Sequence, residues 1–325
     1  MIDVIIPAYN AEDTIGRALA SLVAQTRPRK FMVTVVDDCS TDCTAAIVKK
    51  FKGLLPINYI KLEKNLGRPG LTRNVGIENT SCPYMIFLDA DDMLAPEAAE
   101  VLSRAVLQNQ PDFINSAFYQ DNRSDNYDVI DTTALTWIHG NIYSRAFLDK
   151  NNLRFDDKWN EDGSFNLKCA WLSDKTCAID RPMCYWMDNK ESVTRKNNNF
   201  MLDIAEDFVA TYVDAIYEIL EKKPSVAEEK DFSKMCASKL AMFVQTYDAV
   251  VDKEGTNIQK IENLYKQVSK YVELLKIHNL INLSFLKLTN QRFNNYTIYV
   301  DTVRQNTLPN YLRQFGINWS EYFNG

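Results

Sequence analysis

The sequence predicts an α/β domain with a mainly parallel sheet and helices on both of its faces, followed by an α-helical region. The first 120 residues alternate short apolar runs with segments of helical spacing, whereas the chain after Arg195 carries helical spacing alone. A further observation locates a site. The apolar run Ile86-Phe87-Leu88 ends in Asp89, and ligands of such sheets bind just beyond the carboxyl ends of the strands.

The predicted strands and helices follow one another at short intervals in the first part of the chain. Apolar, β-branched runs predict strands at residues 4–6, 31–36, 57–62, 84–88 and 113–117. Helical spacing predicts helices at residues 11–25, 41–51, 70–79 and 96–108. Asn10 suits the N-cap of the first helix, and Pro96 suits the first turn of the last. Strands joined through helices in this way predict parallel neighbours.

The remainder of the chain is mixed at first and then helical. Residues 121–131 are polar and predict a loop, residues 161–172 predict a helix, and residues 176–179 and 183–187 predict short strands. A polar break at residues 196–199 precedes three predicted helices at residues 201–220, 231–251 and 258–275. Pro224 separates the first two of these helices. We therefore predict an α/β domain at residues 1–198 and an α-helical domain at residues 199–325.

Composition limits the classes of protein to which the chain can belong. With 325 residues, of which 46% are hydrophobic and 25% charged, the chain is long enough for one large or two ordinary globular domains. The formal net charge of −6 argues against broad electrostatic binding to nucleic acid or to an anionic membrane.

Cysteine usage and the lack of targeting signals predict a cytoplasmic protein. Seven cysteines without a Cys-x-x-Cys pair, and two histidines in all, disfavour a zinc site and predict reduced thiols. The N-terminus enters a strand pattern with no signal sequence, and no apolar run approaches the roughly 20 residues that span a bilayer. Residues 272–288 are amphipathic, which leaves peripheral membrane contact open beside burial against protein.

Carboxylates crowd the end of the predicted strand at residues 84–88. Asp89, Asp91 and Asp92 are close neighbours, and carboxylates packed together repel one another unless a cation or a polar ligand shares the site. A hard divalent cation carrying phosphates is the occupant that this chemistry favours. An acidic turn before the next helix, without a ligand, is the alternative.

Four further segments accompany the acidic run. They are Pro7-Ala8-Tyr9-Asn10, residues 35–42 (VVDDCSTD), residues 65–76 (NLGRPGLTRNVG) and residues 159–162 (WNED). In order and spacing this set closely resembles the family 2 glycosyltransferases, which have the Rossmann-like GT-A fold, over roughly residues 2–195. The resemblance implies a nucleotide-diphosphate sugar as donor, by default a UDP-sugar, Mn²⁺ or Mg²⁺ as cofactor, and transfer with inversion at the anomeric carbon.

The resemblance assigns donor-binding roles within these segments. The aromatic face of Tyr9 can stack on a nucleobase, and Asp38 can accept a hydrogen bond from the base or the ribose. The fork of Arg73 suits the base or the diphosphate, and Gly67 and Gly70 leave room for close approach of backbone N–H groups. The implied nucleotide-sugar-binding residues are Pro7, Tyr9, Asp38, Gly67, Gly70, Arg73, Asp89 and Ala90.

The metal ligands and the base come from the same resemblance. Asp91 is the implied ligand of the cation, and Asp89 divides its contacts between the cation and the ribose, with Asp92 as an orienting or capping residue. Asp162 matches the family's general base, which deprotonates the acceptor hydroxyl while the metal takes up charge on the leaving diphosphate. Because a helix N-terminus also favours a carboxylate, capping is the alternative role for Asp162.

Four residues are implied on the acceptor side: His139, Trp159, Glu161 and Trp186. A hydrogen-bonded structural role is the alternative for His139, and burial is the alternative for the tryptophans. Trp186 stands where many members carry an arginine, and Arg195 is the nearby cation that can replace its contact with the diphosphate.

The acceptor is by default a cell-surface or lipid-linked glycan. Residues 250–325 carry nine Lys/Arg and six Asp/Glu, so a hydroxymethylated base in DNA is a lower-ranked alternative. A catalytically silent nucleotide-sugar-binding module is the alternative outside enzymes, and a dinucleotide dehydrogenase is disfavoured because no Gly-x-Gly-x-x-Gly follows the first strand. The helical domain is expected on the acceptor side or in a homo-oligomer interface.

Overall fold

Strands and helices alternate along the first half of the chain. The structure is a computed structural model that describes residues 1–26, 31–122, 126–131, 137–189, 199–253 and 258–280. In chain order, strands β1 to β11 are Ile2–Ala8, Phe31–Asp37, Ile57–Lys61, Tyr84–Phe87, Met93–Leu94, Phe113–Ser116, Phe118–Asp121, Tyr127–Ile130, Ile142–Ser144, Thr176–Ile179 and Cys184–Trp186. Helices α1 to α6 are Ile15–Val23, Thr44–Phe51, Pro69–Glu78, Ala98–Asn109, Arg145–Lys150 and Glu161–Leu172.

Seven of these strands form the main sheet, in the order β10-β6-β9-β4-β1-β2-β3. Strand β9 runs antiparallel to β4 and β6, whereas the other neighbouring pairs are parallel. The α/β fold with a mainly parallel sheet, which the sequence predicts, is confirmed. The sequence pattern did not reveal that β9 reverses direction.

Strand register brings the predicted site residues to one edge of the main sheet. Ala8 of β1 lies opposite Asp37 of β2, and Ile5 lies opposite Phe87 of β4. The polar segments that follow these strands, with Asp89 among them, therefore share the carboxyl edge, where open α/β sheets bind their ligands.

Burial of apolar side chains explains these elements. All seven residues of β1 are buried, as expected for a central strand covered on both faces. Helix α1 buries Ile15, Leu19 and Leu22, which lie on one stripe of the helix. Helix α3 lies so close to β1 that a Cβ added to Gly76 would come within 2.3 Å of Ile5 Cγ2, so only glycine fits there.

A smaller sheet has the strand order β5-β11-β7-β8. The predicted loop at residues 121–131 is wrong in part, because Tyr127–Ile130 pairs antiparallel with Phe118–Asp121. Asp128 makes the segment look polar, but Tyr127 packs edge-on against Tyr119, with ring centroids 6.0 Å apart. Such cross-strand aromatic pairs stabilise a strand whose polarity alone would suggest a loop.

Helix α1 begins at Ile15, so the predicted N-cap role of Asn10 is wrong. The backbone of Asn10 is left-handed, with a φ of 45°. Its side-chain oxygen accepts a hydrogen bond from the N–H of Thr41 at 2.9 Å, and its own N–H donates to Oγ of Ser40 at 2.9 Å. Asn10 therefore ties the end of β1 to the loop after β2.

The chain divides into two compact units, Met1–Asn198 and Asn199–Gly325. The described helices of the second unit are Phe200–Asp203, Ala205–Lys222, Lys230–Asp252 and Ile258–Ile277, with a 3₁₀ turn at Pro224–Glu228. The α-helical C-terminal region is thus confirmed, although the helix predicted at residues 201–220 is interrupted at Ile204. Buried rings such as Phe243 and Tyr271, with centroids 5.0 Å apart, form the core of this unit.

Two predictions fall wholly or partly outside the described residues. These are the diphosphate contact of Arg195 and the end of the amphipathic segment at residues 272–288. Among the described residues, no helix combines the length and the apolar character needed to cross a membrane. All seven cysteines are free thiols.

Candidate active site

A buried arginine lies at the centre of the site. Nη2 of Arg73 lies 2.6 Å from Oδ1 of Asp89, and Nη1 lies 3.0 Å from Oε1 of Glu161. Asp89 follows strand β4, and Glu161 opens helix α6, so the guanidinium joins the edge of the sheet to a helix N-terminus. Only 4% of the Arg73 side chain is exposed. Its planar fork can hold both carboxylates at once, which an ammonium group does less well.

Helix α3 can carry Arg73 to this position because Gly70 has no side chain. A Cβ on Gly70 would lie 2.5 Å from Cγ of Glu161 and 2.9 Å from Cβ of Phe155. Gly70 therefore permits close packing of α3 against the start of α6. The ring of Phe155 also lies beneath the guanidinium, 5.4 Å from its central carbon.

Three carboxyl groups share the single charge of Arg73. Burial raises the pKa of Glu161 to about 7, and the neighbouring Asp162 adds to the shift. Burial also raises the pKa of Asp162, against the opposing effect of Arg73. For Asp89 burial acts in the same direction, but Arg73 and His139 outweigh it and hold the pKa below its usual value. Asp89 is therefore the ionised partner of the guanidinium.

Asp91 and Asp92 differ in their surroundings although they are adjacent. Nδ2 of Asn189 donates to Oδ2 of Asp91 at 2.7 Å, and Nη2 of Arg17 donates to the Asp91 carbonyl at 2.6 Å. Burial and the charge of Asp89 raise the pKa of Asp91, a condition that a bound cation would relieve. Sequence reasoning missed Arg17 and Asn189, because no local pattern marks residues that meet Asp91 only in the folded chain.

Asp92 faces the interior and orients the acidic turn. It is fully buried, accepts a hydrogen bond from the N–H of Met187 at 2.9 Å, and lies 3.2 Å from Nδ1 of His139. Burial raises its pKa to about 6, against the opposing effect of His139. This position agrees with the predicted orienting role. His139 is buried too and contacts Asp92, which is consistent with the structural role given above as the alternative to its acceptor-side role.

Among the described residues, two groups could hold a metal. Asp92, His139 and Cys184 have potential ligand atoms within 4.8 Å of one another. Burial raises the pKa of the Cys184 thiol well above its usual value, so it stays protonated, and a hard cation prefers oxygen ligands. The carboxylates of Asp89 and Asp91 therefore fit Mn²⁺ or Mg²⁺ better than the buried trio does.

The nucleoside end of the site lies beyond β1 and β2. Tyr9 is 53% exposed, so its ring is free to stack, whereas Pro7 is buried within β1. Oδ1 of Asp38 accepts a hydrogen bond from the N–H of Leu66 at 2.7 Å, which anchors the loop before α3. In that loop Gly67 has a φ of 73°, a left-handed conformation that glycine adopts at little cost.

Each of the four predicted acceptor-side residues contacts another side chain of the protein. The ring of Trp159 lies under the guanidinium of Arg68, whose central carbon is 4.2 Å from the ring centroid. Glu161 is buried against Arg73. Trp186, in strand β11 of the small sheet, stacks on His139 at a centroid distance of 5.6 Å, whereas Trp159 lies in the turn before α6. Ala90, predicted to contact the donor, is 9% exposed between Asp89 and Asp91.

A model of one protein family, described as Glycosyl transferase family 2, matches residues 3–165. The match takes in just over half of the 325 residues and includes the acidic run and the four segments that accompany it. The chain belongs to glycosyl transferase family 2.

Three curated proteins are similar to this chain over different lengths. Poly(ribitol-phosphate) beta-N-acetylglucosaminyltransferase TarP of Staphylococcus aureus is 27% identical over 255 residues, which cover 70% of this chain and 76% of TarP. TarS of the same species is 28% identical over 58% of this chain and 35% of TarS. The succinoglycan biosynthesis protein ExoU of Rhizobium meliloti is 36% identical over 43% of this chain and 36% of ExoU. The matched region is thus about a third of TarS and of ExoU.

Solved structures share the fold. The structure of S. aureus TarS 1-349 in complex with UDP-GlcNAc superposes with a TM-score of 0.58 at 18% identity, over 83% of this chain and 89% of that one. The mannosyltransferase PcManGT from Pyrobaculum calidifontis, in complex with GDP-Man and Mn²⁺, gives a TM-score of 0.54 at 16% identity, over 86% and 84%. These likenesses confirm the GT-A fold predicted for this family 2 member.

Proposed function

We propose that this family 2 member transfers a sugar from a UDP-sugar to a hydroxyl group of a cell-surface glycan, with inversion at the anomeric carbon and with Mn²⁺ or Mg²⁺. The observation that carries the proposal is the buried cluster at the carboxyl edge of the sheet. In it Arg73 links Asp89 of the acidic turn to Glu161, the residue before Asp162. Donor-binding acids and a base are thereby held within one rigid group.

The named relatives support the substrate classes. TarP and TarS are named for N-acetylglucosamine transfer to poly(ribitol-phosphate), and ExoU for succinoglycan biosynthesis, which favours a glycan polymer as acceptor. The structures of TarS with UDP-GlcNAc and of PcManGT with GDP-Man and Mn²⁺ favour a nucleotide-diphosphate sugar and a divalent cation. A lipid-linked glycan and a DNA acceptor stay predictions, and DNA binding and self-association gain no support from these relatives.

Asp162 is the base in this mechanism. Its carboxylate lies in the first turn of α6, where Oδ1 accepts a hydrogen bond from the N–H of Gly163 at 2.8 Å. The carboxylate takes the proton of the acceptor hydroxyl as that oxygen attacks the anomeric carbon. Burial raises the pKa of Asp162, which increases its affinity for the proton it must accept.

The other residues bind and orient the donor. Tyr9 stacks on the base, and Asp38 accepts a hydrogen bond from the nucleoside. Arg73 keeps Asp89 ionised and aimed at the edge of the sheet. A cation held by Asp91 and Asp89 would neutralise charge on the departing diphosphate. No carboxylate nucleophile is needed, because a single displacement inverts the anomeric centre.

The test compares the wild type with D162N and with D157N as a matched control, since Asp157 is an exposed aspartate just before the same helix. Hydrolysis of UDP-GlcNAc and of UDP-glucose, in which water takes the place of the acceptor hydroxyl, is measured as release of UDP with Mn²⁺ and with EDTA. We expect D162N to lose about 10²–10⁴-fold in kcat. UDP binding by calorimetry should be retained, and D157N should behave as the wild type.

Three outcomes would contradict the proposal. Full turnover in D162N would remove Asp162 as the base, and a silent binding module would bind UDP without turnover in any variant. Equal turnover with EDTA and with Mn²⁺ would show that the reaction does not depend on a metal. D91N, which lacks one carboxylate of the acidic turn, should need a higher Mn²⁺ concentration for the same rate.

A further inference from the structure

The outer face of the small sheet carries three tyrosines. Register pairs Tyr185 with Tyr119 and Met93, and pairs Tyr119 with Val129, so these side chains project to one side. Tyr127 lies on the same side, opposite Asp121 in the register. We call this surface, Met93, Tyr119, Tyr127, Val129 and Tyr185, the tyrosine face. The opposite side of the sheet, with Phe118 and Cys184, is buried in the core.

The rings of the tyrosine face form one aromatic surface. Tyr119 and Tyr185 stack at a centroid distance of 4.6 Å, and Tyr127 packs edge-on against Tyr185 at 5.1 Å. Tyr127 is 42% exposed and Val129 is 56% exposed. Contiguous exposed aromatic surface of this kind marks interaction sites more often than single exposed residues do.

The hydroxyl groups of this face have few partners in the part of the chain that the structure describes. Among the described residues, the hydroxyls of Tyr119 and Tyr185 make no hydrogen bond, and that of Tyr127 has only a weak contact with Sδ of Met187 at 3.9 Å. By contrast, the buried Tyr143 donates its hydroxyl proton to Asn166. Tyrosines that combine an open ring with an open hydroxyl are suited to a ligand with both apolar and hydroxyl groups.

The tyrosine face lies close along the chain to Asp91 of the candidate active site. Strand β5 directly follows Asp91 and Asp92, and its first residue, Met93, pairs with Tyr185. From Asp91 to Met93 the chain takes two Cα–Cα steps of about 3.8 Å each, and paired Cα atoms such as those of Met93 and Tyr185 are at most about 5.5 Å apart. The Cα atoms of Asp91 and Tyr185 are therefore within about 13 Å of each other. A chain of a few sugar units can span this length.

Charge selects among the ligands of suitable shape. Among the described strands of this sheet, the charged side chain on the side of the tyrosine face is the acidic Asp121, because Asp128 pairs with Gln120 and projects to the opposite side. A polyanion such as a sugar-phosphate or polyol-phosphate chain would be repelled, whereas a neutral pyranose can place its apolar C–H face on a ring and hydrogen-bond to tyrosine hydroxyls.

We propose that the tyrosine face binds a neutral oligosaccharide segment of the acceptor, next to the hydroxyl group that receives the sugar. This inference rests on the proposed function, because it assigns the acceptor of that same site. It differs from the acceptor named for TarP and TarS, whose poly(ribitol-phosphate) chains carry negative charge. The preferred acceptor is therefore a polymer with uncharged hexose or N-acetylhexosamine units.

The experiment titrates the full chain, with UDP and Mn²⁺ present, against neutral tetrasaccharides of glucose, galactose and N-acetylglucosamine and against a ribitol-phosphate oligomer. Saturation-transfer NMR identifies contacts with tyrosine ring protons. We expect at least one neutral tetrasaccharide to bind, with about tenfold weaker affinity in Y127A and in Y185A. Y127F, which keeps the ring, should bind nearly as well as the wild type. Y217A, which removes an exposed tyrosine of the second unit, should bind equally well.

Several outcomes would overturn the inference. These are no binding of any neutral tetrasaccharide, equal binding by the wild type, Y127A and Y185A, and preferential binding of the ribitol-phosphate oligomer. A change of oligomeric state in Y127A would make the face a self-association surface instead. Since Tyr127 is exposed, Y127A tests the face even if Y185A is unstable. Release of UDP from UDP-GlcNAc or UDP-glucose by the wild type is measured separately. If the wild type releases no UDP, the proposed function is wrong. The titration by itself tests whether the tyrosine face binds sugar.

Discussion

At the scale of single residues, Arg73 decides the charge of the site. Its guanidinium is the cation that contacts both Asp89 and Glu161, with Asp162 as a further neighbour. An excess of carboxyl groups over cations explains why burial leaves Glu161 and Asp162 with raised pKa values while Asp89 is ionised. Removing Arg73 would leave these acids without a counter-charge.

R73M should therefore unfold more easily than the wild type. Loss of one partner from a buried ion pair costs about 3–5 kcal/mol, because the remaining charge stays buried without compensation. Urea denaturation measures the change. R104M is the matched control, since Arg104 and Glu100 form an ion pair of 2.9 Å on the surface, where the loss is about 0–1 kcal/mol. Equal effects of the two substitutions would contradict the central role of Arg73.

The raised pKa of Glu161 predicts a dependence of stability on pH. Its folded-state pKa of about 7 exceeds the ordinary value of 4.5, so the folded protein holds this proton more tightly than the unfolded chain does. The stabilisation is complete below about pH 4.5 and is lost as the pH rises through about 7. The glutamine of E161Q cannot ionise. We therefore expect the free energy of unfolding of E161Q to fall less between pH 5 and pH 8 than that of the wild type. Urea denaturation at pH 5 and at pH 8 compares the two proteins, and parallel decreases would refute the assignment.

At the scale of elements, the site depends on how closely helix α3 packs against the start of α6. Gly70 permits this contact, and Gly76 permits a similar approach of α3 to strand β1. The helix is therefore held on two sides, and Arg73 projects from it between the two contacts. Asp92 links the two sheets, because its carboxylate joins the acidic turn after strand β4 to the backbone of Met187 after strand β11.

G70A should move α3 away from α6. The added Cβ would lie 2.5 Å from Glu161 Cγ, and relief of such overpacking costs about 1–3 kcal/mol. G53A is the control, because nothing lies within 4 Å of a Cβ at Gly53. We expect weaker UDP binding by calorimetry and a lower free energy of unfolding for G70A alone. Wild-type values for G70A would show that α3 and α6 are packed more loosely than described.

At the scale of the whole molecule, the candidate donor residues belong to one compact unit, Met1–Asn198, and the helical unit has a core of its own. The donor site is built at the ends of strands that are far apart in the chain but adjacent in the sheet. A ligand that bridges these ends should stabilise the first unit as a whole.

UDP with Mn²⁺ should raise the melting temperature. At a hundredfold excess over Kd, binding adds about 2.7 kcal/mol, which corresponds to roughly 5–10 °C for a domain of this size. Thermal unfolding with UDP alone, with Mn²⁺ alone and with both separates the contributions. D91N should lose the additional shift that Mn²⁺ gives with UDP. A full shift in D91N would place the cation elsewhere, with the buried trio of Asp92, His139 and Cys184 as the next candidate.

Some contacts of the site could not be read from the sequence. Arg73 and Glu161 are 88 positions apart, and Asn189 and Asp91 are 98 apart, so no local pattern joins them. The same limit applies to residues 121–131, where contacts between strands produced a hairpin that polarity concealed. Glu161 and His139 were expected on the acceptor side, but both are buried against charged partners.

The sequence by itself determined the fold class, the family and the identity of the acids at the strand ends. Apolar periodicity and the order of motifs are local properties, and they survive without knowledge of contacts. Only the tertiary structure decided what each residue touches. Parallel pairing brought Asp38 and Asp89 to one edge, and close packing at Gly70 brought Arg73 to Glu161. Packing also turned three separate tyrosines into one face, because sheet register depends on distant partners.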